Sequence, residues 1–141
     1  MATPSPVLAE ESHMGRRLLI IDDNASVCEF LKDRLEAMGY TALVAHDGLT
    51  GLALMALESR QAPIEGILLD LHMPIMGGIQ VLHELRVCHA TVPVVIMTGD
   101  PDQQLRDEAL RLGARYYFQK PIDPALFAHI CKQTFPPTDQ E

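Results

Sequence analysis

The chain has 141 residues, with 11 Lys and Arg against 19 Asp and Glu for a formal charge of −8, 48% hydrophobic residues and no Trp. That length suits one domain and excludes a multidomain enzyme. The acidic balance, with no basic run longer than Arg16-Arg17, excludes the electrostatic footprint of direct nucleic-acid binding. No apolar stretch approaches the ~18 residues of a membrane span, and the N-terminus lacks a basic start followed by an apolar segment, so an unsecreted, cytoplasmic protein without membrane insertion is expected. Cys28, Cys88 and Cys131 are widely spaced and form no CxxC pair, which suggests neither disulfides nor a zinc site.

Residues 1–15 and 134–141 are polar, Pro-containing and without periodicity. They read as a disordered N-terminal tail or expression remnant and a C-terminal tail. Between them short apolar runs alternate with helical patterns. LLIID (18–22) is a first strand ending in acid, and Val27, Phe30, Leu31, Leu35 and Met38 follow as one helix face stopped by Gly39. TALVAH (41–46) is the second strand, with a helix over 47–60 despite Gly51. EGILLD (65–70) is the third; after the loop MPIMGG a helix carries Ile79, Val81, Leu82, Leu85 and Cys88. VPVVIMT (92–98) is the fourth strand, followed by a helix from Pro101 to Leu112 with Gly113 at its C-cap. RYYF (115–118) is the fifth, and Asp123-Pro124 opens a last helix to about Gln133.

Five strands alternating with five helices imply right-handed crossovers and a mainly parallel sheet covered on both faces. The near-continuous LLII, GILL and PVVIM runs agree, because strands buried on both sides are apolar at every position. A doubly wound α/β domain follows, and in such folds ligands bind beyond the carboxyl ends of the strands. Those ends carry Asp22-Asp23, Asp70, Thr98-Gly99-Asp100 and Gln119-Lys120-Pro121. Each has an ordinary reading as a helix cap, a turn residue or a surface lysine, but all four together on one rim make a site. Crowded carboxylates repel by up to ~4 kcal/mol per pair at 4 Å and an effective dielectric near 20, so a cation is needed. Oxygen-only ligands in small number favour Mg²⁺; Ca²⁺ and Zn²⁺ are weaker candidates without an EF-hand loop or a His pair. A cation, a lysine and a threonine hydroxyl can share the charge of a transferring phosphoryl group, and one carboxylate can act as nucleophile. Asp70, single at the end of a central strand, is the better nucleophile, and Asp22 and Asp23 the better metal ligands.

IIDDN (20–24), LLDLHMPIMGG (68–78), IMTGD (96–100) and QKPID (119–123) together resemble the receiver domain of two-component response regulators, over about residues 16–133. The resemblance implies a flavodoxin-like five-stranded sheet of order 2-1-3-4-5 with five helices. It also implies Asp70 as phosphoacceptor and Thr98 and Lys120 as contacts to the phosphoryl group. Mg²⁺ would bind to Asp22, Asp23, Asp70 and the backbone carbonyl of His72, and the Lys120-Pro121 bond would be cis. Thr98 and Tyr117 would form a switch read out on the face of the fourth helix, fifth strand and fifth helix. His72 and Asp100 occupy positions that in receivers modulate phosphoryl lifetime through access of water. Gly77 departs from the family loop, which usually has Asp there; it is expected to serve as a cap or in a positive-φ conformation.

The expected function is a phosphorylation-dependent signalling module of a two-component or phosphorelay system. A histidine kinase or phosphotransfer protein would donate to Asp70 and a downstream protein would read the change. The module is not expected to act on a separate substrate, though self-phosphorylation from phosphodonors and self-dephosphorylation are expected. The chain would be a stand-alone receiver, a phosphorelay intermediate or a fragment of a larger regulator. The alternative is a small Mg²⁺-dependent phosphohydrolase with an Asp nucleophile; the haloacid-dehalogenase pattern would need an acid where His72 stands. A receiver-like scaffold without chemistry is disfavoured because every acidic position is filled.

Overall fold

The computed structural model describes residues 16–58, 62–89 and 91–136. The N-terminal tail, most of the C-terminal tail and the end of the helix expected over 47–60 fall outside these residues. Five strands, β1 (Arg17–Ile21), β2 (Thr41–Ala45), β3 (Gly66–Asp70), β4 (Val94–Thr98) and β5 (Tyr116–Gln119), alternate with five helices. These are α1 (Ala25–Ala37), α2 (Gly48–Glu58), α3 (Gly78–Cys88), α4 (Gln103–Arg111) and α5 (Pro124–Thr134). The strands pair in parallel in the order β2-β1-β3-β4-β5, as expected.

The strands' alternating side chains divide the core into two halves. Leu19, Ile21, Ile67, Leu69, Val94 and Ile96 face α2, α3 and α4, where they meet Met55, Val81, Leu82, Leu85 and Ala109. Leu18, Ile20, Leu68, Val95 and Met97 face α1 and α5, where they meet Cys28, Leu31, Leu35, Phe127, Ile130 and Cys131. Every residue of β3 and β4 is buried, which explains their unbroken apolar sequences. Gly51 is tolerated inside α2 because the helix lies tight on the sheet: a Cβ there would sit 2.5 Å from Ile21 Cδ1.

Helix boundaries follow capping chemistry. Asn24 accepts the Val27 N–H at α1, Asp102 accepts Gln104 and Leu105 N–H at α4, and Asp123 accepts Leu126 N–H at α5 with Pro124 in the first turn. Asp102 therefore starts the fourth helix after Pro101, later than the sequence suggested. The fifth strand is displaced by one residue, to Tyr116–Gln119.

One packing expectation is corrected. Phe30 is 41% exposed, and Cys28 takes its place beside Leu31 and Leu35 on the buried stripe of α1. Cys88, at the end of α3, is exposed. Gly77 takes the first of its two expected roles, capping α3 at φ −76°. The positive φ falls instead on Ile75 (φ 72°), where the Met76 N–H donates to Pro74 O at 2.8 Å in a γ-turn.

Candidate functional site

Strand register assembles the site. Ile21 pairs with Leu69, so Asp22 and Asp70, each one residue on, leave adjacent strands side by side. Asp70 pairs with Met97 and Thr98 with Gln119, which delivers Lys120 to the same rim; the Lys120 N–H donates to Thr98 O at 2.7 Å. The Lys120-Pro121 peptide is cis.

Asp22 is fully buried, a position an ionised carboxylate holds only when its oxygens are satisfied. Its Oδ1 accepts the Asn24 N–H at 2.9 Å, and its Oδ2 accepts Lys120 Nζ at 2.8 Å. Asp70 is 3% exposed and less well served. Its Oδ1 lies 3.5 Å from Lys120 Nζ and 3.4 Å from the His72 N–H. Burial, reinforced by repulsion from Asp22, pushes the Asp70 carboxyl up to about 6, against the pull of Lys120. Burial alone would lower the Lys120 ammonium, but the hydrogen bond and charge of Asp22, together with Asp70, hold it above the ordinary lysine value.

The exposed Asp23 completes a cluster in which one oxygen each from Asp22, Asp23 and Asp70 lie within 4.8 Å of one another. Ligand oxygens on an octahedral ion with bonds of 2.0–2.1 Å are separated by at most about 4.2 Å, so a small inward movement of these side chains fits them to a hard divalent cation. All three donors are carboxylate oxygens, which suits such an ion.

Thr98 is completely buried. Its hydroxyl donates to Asp100 O at 3.0 Å and accepts the Asp100 N–H at 3.1 Å. The same Asp100 carbonyl lies 3.3 Å from His72 Nε2. Tyr117 stands against the α2–α4 half of the core with Arg106 5.9 Å above its ring, and its buried hydroxyl has no hydrogen-bond partner among the described residues. The structure thus brings Asp22, Asp23, Asp70 and Lys120 into one cluster, with Thr98 at the end of β4 and His72 on the loop after β3 beside it.

Two features went unread in the sequence. Asn24 both orients Asp22 and caps α1; an Asn directly after an acidic pair and before a helical pattern was the available signal. The contact from the His72 ring to a backbone carbonyl left none. Cys28, whose thiol donates to Asp22 O at 3.2 Å, is buried and pushed up to about 11, so it supports the loop and is a poor nucleophile.

Residues 18–132 match the model of the response regulator receiver domain. The chain is 38% identical over 115 residues to the transcriptional regulatory protein CpxR of Klebsiella pneumoniae, an alignment covering 81% of this chain and 47% of CpxR. It is 34% identical over 106 residues to ZraR of Klebsiella oxytoca, covering 75% of this chain and 23% of ZraR. It thus spans between about a quarter and a half of these relatives. Among solved structures, a CheY-like receiver domain protein from Methanospirillum hungatei superposes with a TM-score of 0.77 at 25% identity, over 84% of this chain and 91% of that one. The CheX–CheY–BeF₃–Mg complex from Borrelia burgdorferi matches the fold with a TM-score of 0.78 at 24% identity, over 84% of this chain and 87% of that one. By sequence, strand order and the match over 18–132, the chain belongs to the response regulator receiver domains of two-component signalling.

Proposed function

We propose that residues 16–133 form a phosphorylation-controlled switch in which Asp70 accepts a phosphoryl group from a histidine kinase or phosphotransfer protein. The carrying observation is a nearly buried Asp70 whose carboxyl is raised to about 6, beside a buried Asp22, the exposed Asp23 and Lys120. An Asp70 oxygen attacks phosphorus, a new O–P bond forms as the donor's N–P or acyl O–P bond breaks, and the donor leaves with the electron pair. Asp22, Asp23, Asp70 and the His72 carbonyl would hold Mg²⁺, which offsets charge on the phosphoryl oxygens. Lys120, now 2.8 Å from Asp22 and 3.5 Å from Asp70, is the ammonium able to follow the charge onto those oxygens. Thr98 would turn its hydroxyl inward to donate to one of them. Tyr117, with its unpartnered buried hydroxyl, would respond to that movement, and the α4–β5–α5 face would carry the signal to a downstream protein.

The phosphodonor's docking surface would include a cleft beside Lys120 lined by Val27, Phe30, Leu31, Pro121 and Ile122; this gives a reason for Phe30 to be exposed. Family membership disfavours the phosphohydrolase alternative, and self-phosphorylation from small phosphodonors belongs to the proposal. Among the described residues no helix is long and apolar enough to cross a membrane, and a cytoplasmic setting is part of the same reading. The test is intact mass after incubation with Mg²⁺ and acetyl phosphate or a cognate kinase. A gain of ~80 Da, abolished by EDTA and by Asp70→Asn, supports the reading. No adduct with any donor refutes it.

A further inference from the structure

The Asp100 carbonyl is shared by two side chains, one at the end of β4 and one on the loop after β3. Thr98 Oγ1 donates to it at 3.0 Å, and His72 Nε2 lies 3.3 Å away. A carbonyl only accepts, so the contact fixes the proton on Nε2 of His72. A carbonyl has two lone pairs, so both donors can be served at once. His72 follows β3 and Asp100 follows β4; among the described residues this is the side-chain hydrogen bond that ties the two loops together above Asp70.

The arrangement matters when Thr98 moves. A hydroxyl has one proton, and donating it to a phosphoryl oxygen on Asp70 withdraws it from Asp100 O. The carbonyl would lose its donor from Thr98 at the moment the 99–102 loop has to settle in a new position. His72 remains to satisfy it. We propose that His72 is a positioning residue. Its imidazole keeps the Asp100 carbonyl paired and the two loops clasped while Thr98 changes partner, lowering the cost of the switched state. This rests on the reading of Thr98 as a phosphoryl ligand. It differs from screening Asp70 from water, because its effect depends on the hydroxyl of Thr98.

That dependence sets the experiment: a double-mutant cycle on the full chain, with beryllofluoride in Mg²⁺ as the phosphoryl mimic and binding followed by NMR or fluorescence. His72→Ala is expected to weaken beryllofluoride binding about three- to tenfold in the parent, and by less than about twofold in a Thr98→Ala background. His72→Gln, which retains an N–H donor, should restore most of the affinity.

Equal losses from His72→Ala in both backgrounds, or none in the parent because water replaces the ring, would overturn the proposal while leaving the Thr98 reading intact. If Thr98→Ala itself leaves beryllofluoride affinity unchanged, both fall. Failure of His72→Gln to restore binding shows that ring shape and not the hydrogen bond is used, and this too overturns it.

Discussion

The most direct consequence of the site's electrostatics is that Asp70 is retained at the expense of stability. In the absence of divalent cations its carboxyl is raised from an ordinary 3.8 to about 6, by burial first and by Asp22 second. The folded state therefore holds a proton between these values that the unfolded chain has released. Stability then falls as pH rises through this window and levels off above it, the reverse of an acid in a favourable ion pair. At 1.36 kcal/mol per pH unit, the ionised group costs the fold about 3 kcal/mol near pH 8. Asp70→Asn removes that cost, and the contacts to Lys120 at 3.5 Å and the His72 N–H at 3.4 Å are already counted in it because both pull the value down. The net expectation is a variant about 3 kcal/mol more stable at pH 8 in EDTA, or roughly 9–18 °C in melting temperature for a domain of this size. The gain should shrink to about 1 kcal/mol at pH 4.5, where the folded carboxyl is protonated but the unfolded one, at 3.8, is still mostly ionised, and should vanish only below that value. Calorimetry or thermal circular dichroism in EDTA at the two pH values measures it. A variant no more stable than the parent at pH 8, or a gain independent of pH, would refute the reasoning.

Other perturbations follow from contacts. Gly78→Ala places a Cβ 2.4 Å from the Asp70 carbonyl oxygen and 2.6 Å from Leu71 Cα, both backbone, so a loss of at least about 3 kcal/mol in urea titration is expected, together with weakened Mg²⁺ binding. Tyr40→Phe removes a hydroxyl whose single proton is shared between Phe135 O at 2.6 Å and Cys131 O at 3.1 Å at the end of α5. Cys131 O keeps the Phe135 N–H at 2.8 Å, so the loss falls on Phe135 O and should cost about 1–2 kcal/mol by the same titration. Ile75→Asn should instead stabilise by about 1 kcal/mol, because asparagine accepts φ 72° with less strain and nothing is lost from a side chain that is 97% exposed; a less stable variant would show that the γ-turn is unstrained. Asp123→Ala should cost about 1 kcal/mol through the lost cap on Leu126 N–H, read as a lower urea midpoint at unchanged slope.

The fold was legible because its signals are local and repeated. Five apolar runs separated by amphipathic stretches admit few arrangements once right-handed crossovers are required, and their acidic or polar ends already marked one rim. Asp22, Asp23, Asp70, Thr98 and Lys120 could be selected before any coordinates for that reason, and residue type alone indicated carboxylate chemistry with a hard cation. The finer assignments depended on distance and direction in space. Apolar periodicity placed Phe30 in the core, but α1 turns Cys28 inward and leaves Phe30 beside a cleft. Gly77 was open to a cap or a positive φ; it caps α3, and the positive φ falls on Ile75, because the closing hydrogen bond from Met76 to Pro74 sets the conformation there and residue type does not. That Lys120 now favours Asp22 over Asp70, and that His72 and Thr98 share one carbonyl, arises from segments about 26 to 98 residues apart meeting at a strand end. The sequence by itself determined which chemistry the rim can hold. The tertiary structure decided how charge and hydrogen bonds are shared there, because burial and distance exist only once the strands are paired.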